Sequence, residues 1–325
     1  MHVSSAAARS LRSARASIGA GAGLAALLVA PGLACAHGVR GVAIDGALPA
    51  VDGRSLSIVV LIAAAGLAYA LGAHRLALHR ACLRGPEASR RHHFLEGLWF
   101  AGGLFVMAAA LLGPLEDWTD RSFAAHMLQH ELLMLVAAPL LVLGRPLALW
   151  AWAMPQRASR AIGRFFHHPA WRVPWLMVTG PLAAWLLHAL ALWLWHVPAL
   201  FDAALNDSTV HAWQHVSFLL TALLFWWSVL GAVTRKEQGL ALVSLFTTMV
   251  HTGALGALLT LARTPWYAHY FHGTSAFGIN ALQDQQLGGL IMWVPAGGIY
   301  ILCGLLIAGR WLKPPMRRGP RLSLR

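Results

Sequence analysis

The chain has 325 residues, 58% of them hydrophobic and only 11% charged, with a mean hydropathy of +0.60. A soluble domain is roughly 25% charged, so this composition excludes a soluble globular protein. The formal net charge of +13 does not point to nucleic acid, because the basic residues are scattered over loops between long apolar runs and form no single basic face. Cys35, Cys82 and Cys303 stand too far apart for a Cys-x-x-Cys motif or a disulfide framework. Any metal must therefore be held without thiolates.

Residues 1–36 carry Arg9, Arg12 and Arg15, a modestly apolar Ala/Gly/Leu stretch, and Ala34-Cys35-Ala36 before His37. This is the build of a secretory signal peptide with an A-x-A cleavage site, or of an uncleaved signal anchor. Cleavage after Ala36 would leave His37 with a free α-amino group beside its ring, a two-nitrogen chelate for Cu(II). Residues 37–54 form an outer segment. The transmembrane domain, 55–309, holds seven predicted spans at 55–73, 94–113, 126–143, 174–196, 211–230, 239–262 and 287–309. At about 1.5 Å per residue each suffices, or nearly so, to cross a hydrocarbon layer of roughly 30 Å. The third is the shortest and borrows a turn from Phe123. The apolar stretch 147–154 is too short to cross and is expected to lie in the interface. The expected fold is an all-α polytopic membrane helix bundle of one domain, ending in a basic tail at 310–325.

Short loops rich in Lys and Arg stay in the cytoplasm. One side of this arrangement carries 18 basic residues, in 75–91, 145–172, 235–236 and the tail, against four on the other: Arg40, Arg54, Arg121 and Arg263. Most acidic residues lean the other way, among them Glu116, Asp117, Asp120, Asp202, Asp207 and Asp284. The expected orientation is N-terminus outside and C-terminus cytoplasmic, in the cell's plasma membrane. The lipid bilayer, with its anionic headgroups, then accounts for the basic charge, and no nucleic acid is needed.

That orientation places the histidines by depth. The third span opens with His126-Met127-Leu128-Gln129-His130-Glu131 and the fifth with His211-Ala212-Trp213-Gln214-His215. Imidazoles four residues apart share a helix face, about 6 Å apart along the axis. His188 and His196 lie toward the outer end of the fourth span and His251 about halfway along the sixth. A lone histidine at a helix end is ordinarily an interfacial hydrogen-bonding group, but polar residues at membrane depth are costly and usually face a cavity or one another. The repetition predicts a convergent metal site of His126, His130, His211 and His215, with His196, His188 and His251 as further candidates. Imidazole suits copper, zinc and iron, and thioether selects Cu(I). Met134 continues the His126–His130 stripe, although methionine in a membrane helix is ordinarily apolar filling. Glu131 is a carboxylate within a span and is placed to orient an imidazole. Gln129, Gln214 and Asp284 are further accessory candidates. Glu96, near the cytoplasmic end of its span, can simply reach the interface.

These residues carry a resemblance. The segment from His126 to Leu147, HMLQHELLMLVAAPLLVLGRPL, is similar to the signature of the CtaG-type cytochrome c oxidase assembly proteins. So are WHVPALFDAA from Trp195, the stretch from His211 to Gly231 with Phe225-Trp226-Trp227, and DQQLGGLIMWVP from Asp284. The resemblance implies a multi-pass plasma-membrane factor, not itself an enzyme, that works with cytochrome c oxidase subunits and handles copper on its way to a haem–copper oxidase. Other readings of the same histidines are a copper transporter resembling the CopD-type resistance proteins, a membrane di-iron desaturase or hydroxylase, and a haem-carrying electron-transfer protein. The di-iron reading requires His-His boxes on the same side as the others, whereas His92-His93 and His167-His168 fall on the cytoplasmic side.

Overall fold

The computed structural model describes residues 53–84, 90–271 and 278–312, with side chains left undescribed at 80–84, 90–93 and 166. The signal segment, His37 and the tail from residue 313 lie outside the described residues.

Twelve helices follow in order among those residues: α1 (Gly53–Arg84), α2 (Arg90–Leu112), α3 (Pro114–Thr119), α4 (Phe123–Leu143, with a π-helical turn at Leu132–Ala137), α5 (Pro146–Ala153), α6 (Gln156–His167), α7 (Pro169–Val178), α8 (Pro181–Trp195), α9 (Pro198–Asn206), α10 (Ser208–Leu230), α11 (Arg235–Thr260) and α12 (Ala281–Leu312). There is no strand among them, which makes the protein an all-α bundle. Six helices (α1, α2, α4, α10, α11 and α12) are long and apolar enough to cross a membrane. The helices α7 and α8 are long and apolar enough only when taken together, and they are bent by 62° where they join. The expected fourth span, 174–196, is thus not one straight helix, and the cause is local. Gly180 is extended and Pro181 follows it as the first residue of α8, where its missing N–H disturbs no intrahelical bond. Many large apolar side chains, such as Leu67, Phe105, Val243, Phe246 and Leu305, face outward. In water such a surface would aggregate; in lipid it is the solvated face.

The helix starts are set by capping. Asp207 precedes α10, and its carboxylate accepts from the backbone N–H of Thr209 at 2.7 Å and Val210 at 3.1 Å. Those two bonds hold the Asp207 carboxyl below its ordinary value. Thr234 and Glu237 form a reciprocal capping box at the start of α11. α4 is capped by Ser122, whose Oγ accepts from the N–H of Ala125 at 3.2 Å, with further support from a distant carboxylate described with the site below.

α11 and α12 form the most extensive helix pair. They meet at Gly256 and Gly289, where a Cβ on Gly256 would lie 2.8 Å from the Gly289 carbonyl oxygen. Only glycine allows that approach, the usual device for close helix contact in lipid. α5, the stretch too short to cross, packs against α1. Trp150 donates its indole N–H to the carbonyl of Ala65 in α1 at 3.0 Å, Leu149 and Trp150 are buried, and Arg75 reaches the carbonyl of Ala153 at 2.6 Å. The turn into α5 places Arg145 in the left-handed region at φ 50°. Its guanidinium lies 3.5 Å from Glu96, so the mostly buried Glu96 has a cation beside it. α6 carries Arg157, Arg160 and Arg164 along one face and is strongly amphipathic, the pattern of a helix lying along a membrane surface.

Candidate metal centre

α4 and α10 both begin at the same end of the bundle, and α8 finishes there. Their first turns bring the two H-x-x-x-H pairs together. Nε2 of His126 lies 3.1 Å from Nε2 of His130, and one ring nitrogen from each of His126, His130 and His215 falls within 4.8 Å of the others. All three are buried. His211 completes the group at its rim, its ring centroid 4.3 Å from that of His215 and 5.2 Å from that of His126. The Nε2 atoms of His211 and His215 are buried without a hydrogen-bond partner among the described residues.

The hydrogen bonds around the group point one nitrogen inward. Tyr270 is buried in a short helical turn, Ala268–Tyr270, and its hydroxyl donates to the carbonyl of Thr119 at 2.7 Å. Burial, reinforced by nearby carboxylates, holds the Tyr270 phenol well above its ordinary value, so the proton stays on oxygen. With that proton committed to Thr119, the Tyr270 oxygen can only accept from His126 Nδ1, 3.4 Å away. His126 then carries its proton on Nδ1 and turns the Nε2 lone pair toward His130. His196 repeats the arrangement: Nδ1 donates to the carbonyl of Leu192 at 2.7 Å, and Nε2 is buried without a partner among the described residues. Holding the outer nitrogen of a ligating imidazole in this way is the usual support of a metal site. Two imidazole nitrogens on one tetrahedral ion sit roughly 3.3 Å apart, given metal–nitrogen bonds of about 2.0 Å. The 3.1 Å between His126 and His130 fits that geometry.

Rings separate His196 from the group: Phe201 and Phe218 each contact both it and the His126–His130 pair. His188 and His251 are not in the group. His188 bonds Thr221 and stacks on Phe225, and His251 lies against Trp185. Met134 is buried in the apolar core, where its carbonyl accepts from the Trp226 indole at 2.8 Å. Glu131 is half-buried, with one carboxylate oxygen buried and unpartnered among the described residues. The Gln214 amide is also unpartnered among them.

Asp284 serves as a cap. From α12 its carboxylate accepts from Ser122 Oγ at 2.8 Å, from the N–H of Phe123 at 2.6 Å and from that of Ala124 at 3.3 Å. It thus satisfies free donors at the start of α4 and sets where His126 begins. Gln129 faces away from the histidines and donates to the carbonyl of Ala110 at 2.8 Å and to Glu116. Glu116 pairs with Arg54 at 2.9 Å. Burial raises the Glu116 carboxyl, opposed by Arg54 and by the bond from Gln129.

The loop aromatics and the Arg54–Glu116 pair are absent from the sequence-based site. Tyr267 donates to the carbonyl of His196 at 3.1 Å and stacks on Phe123, closing the end of the bundle. Aromatic residues at span ends are common as interfacial anchors, and nothing in their spacing distinguishes these two.

An uncharacterised protein of Mycobacterium leprae (strain TN) is 22% identical over 234 residues, covering 69% of this chain and 35% of that protein. The chain thus spans about a third of the length of this relative. No solved structure matches. The family model for the cytochrome c oxidase caa3 assembly factor, Caa3_CtaG, matches residues 67–314, which include every histidine of the centre. The chain belongs to the cytochrome c oxidase caa3 assembly factor family.

Proposed function

We propose that this multi-pass protein is a non-catalytic assembly factor of the plasma membrane, with its histidine end facing outward, that receives copper there and passes it to subunits of a haem–copper oxidase. The observation that carries the copper step is the convergence of ring nitrogens from His126, His130 and His215 within 4.8 Å. The group has no thiolate and no carboxylate, so it adds no negative charge. Placing an ion in a low-dielectric site costs energy that rises with the square of its charge, which favours a monovalent ion over a divalent one. Among metals that imidazole binds well, that preference selects Cu(I). A site of neutral ligands also lets the ion go more readily than a thiolate site does, as a carrier requires. The desaturase reading finds no support, because His167 and His168 lie at the far end of the bundle, engaged with Gly163 and with the start of α7.

Cells lacking the protein are expected to make oxidase subunits that carry haem and little copper, with copper restored by the parent gene and not by a His130→Ala, His215→Ala version. Metal analysis of the purified oxidase checks this; full copper occupancy without the protein would end the proposal. The orientation is tested separately. Reporters fused within residues 115–122 are expected to read as extracytoplasmic and those within 157–168 as cytoplasmic, following the basic asymmetry; the reverse pattern would put the histidines on the wrong side to meet incoming copper.

A further inference from the structure

At the end of the bundle opposite the histidine group, α6 sets Arg157, Arg160, Arg164 and His167 three or four residues apart, so the four share one helix face. With Gly163 they line a cavity of about 630 Å³. The start of α6 is held in place by Arg75 of α1, whose guanidinium donates to the carbonyls of Ala153 at 2.6 Å and Met154 at 3.4 Å, just ahead of Pro155. His167 donates from Nδ1 to the carbonyl of Gly163 at 2.6 Å, which fixes its ring at the cavity. The three arginines are exposed, and no described carboxylate offsets them. The sequence has no Asp or Glu from residue 132 to residue 201. The carboxylates described at this end are engaged elsewhere, Glu96 beside Arg145 and Glu237 with the N–H groups of Val233 and Thr234 at 3.0 and 2.9 Å. Arg160 donates to Gln156 Oε1 at 2.7 Å, a neutral acceptor that orients the guanidinium and leaves its charge uncompensated. Gly163 keeps the cavity open, since a Cβ there would meet nothing within 4 Å. The other face of α6 carries Ile162 and Phe165, and the Phe165 ring lies 5.1 Å from that of Trp171. A helix with arginines on one face and apolar side chains on the other rests at the level of the lipid headgroups.

We propose that this cavity binds the headgroup of an anionic phospholipid that carries two phosphates. A guanidinium meets a phosphate through two parallel N–H···O bonds, which fix direction as well as charge, and basic pockets beside membrane helices suit such headgroups. Charge selects the lipid. One phosphodiester offsets one of the three guanidiniums, whereas two offset two of them. Arg157 and Arg164 stand about 10 Å apart along the axis, so separate phosphates can be held by separate arginines. A zwitterionic headgroup brings its own ammonium, which the same arginines repel. The site lies away from the histidine group, and the inference does not depend on the copper reading.

The test is native mass spectrometry of the full chain in a non-ionic detergent, titrated with diphosphatidylglycerol, phosphatidylglycerol or phosphatidylcholine, with inorganic phosphate as competitor. A basic residue at an anionic lipid surface contributes roughly a factor of five in binding. The parent is expected to hold one diphosphatidylglycerol about 5-fold more tightly than phosphatidylglycerol, to hold phosphatidylcholine more weakly than either, and to keep its lipid in the presence of inorganic phosphate. Arg160→Gln with Arg164→Gln is expected to weaken the two-phosphate lipid on the order of 30-fold. Arg235→Gln with Lys236→Gln, which removes the same charge at the same end of the bundle, is expected to leave it unchanged. Gly163→Leu fills the cavity at constant charge and is expected to abolish the preference for two phosphates. Helical circular dichroism confirms that each variant is folded. Equal losses in the two double variants would reduce the effect to general surface charge and overturn the inference. So would undiminished preference in Gly163→Leu, equal affinity for the three lipids, or release of the lipid by inorganic phosphate, which would make this a site for a free anion.

Discussion

Purified protein carrying His130→Ala and His215→Ala is expected to lose copper affinity at the bundle-end site by more than about 100-fold. Removing a residue that merely orients a ligand usually costs 10–100-fold in metal affinity, and here two of the three converging nitrogens go. The helices remain inserted, because α4 and α10 are held by contacts far from these rings: the Trp226 indole bond to the carbonyl of Met134, and the packing of Phe218, Ala222 and Phe225 into the core. Competition against a chelator of known affinity measures the loss. Unchanged affinity would make the four histidines a structural hydrogen-bonding cluster.

Asp284→Ala is expected to destabilise the protein by about 2–5 kcal/mol. Cap removal alone costs about 0.5–2 kcal/mol, and each buried donor left unsatisfied adds about 1–3 kcal/mol. Asp284 serves three such donors at the start of α4 while 1% exposed itself. Asp284→Asn, which keeps one carbonyl acceptor, is expected to recover part of the loss. The unfolding midpoint in detergent reads both. Because the same carboxylate sets the first turn of α4, copper affinity is expected to fall with it, whereas a metal-ligand role would leave the midpoint of the apo protein unchanged.

The spans and the two histidine pairs are legible in the sequence because both are local signals. A run of about 20 apolar residues reads as a crossing, and a four-residue interval fixes a shared face whatever the surroundings. Depth is nearly as legible, which is why His126 and His211, more than 80 residues apart, are rightly expected at one end. What escapes is whatever depends on how one helix is turned against another. His188 and His251 share the outer half of the spans with the four-histidine group, yet two turns of α8 and the Phe218 ring keep them apart from it. Asp284, beside the seventh span, is legible as an acidic residue near the site, but its partners lie in residues 122–124, about 160 positions away, and only the packing of α12 on α4 brings them together. The break at Gly180 divides a run, 174–196, that hydropathy alone leaves continuous, whereas that at Arg145 falls where the expected third span already ends. Pro181 marks the place, yet a proline also begins many straight helices.

The most direct test of the copper centre is X-ray absorption at the copper edge on purified, Cu(I)-loaded protein carrying His188→Ala and His251→Ala, in which only the bundle-end histidines remain to bind. Three or four nitrogen scatterers at about 2.0 Å, with the outer-shell pattern of imidazole rings and no sulfur shell, is the predicted result. A sulfur shell near 2.3 Å, the length of a metal–thiolate bond, or oxygen ligands alone, or no retained copper, would contradict it.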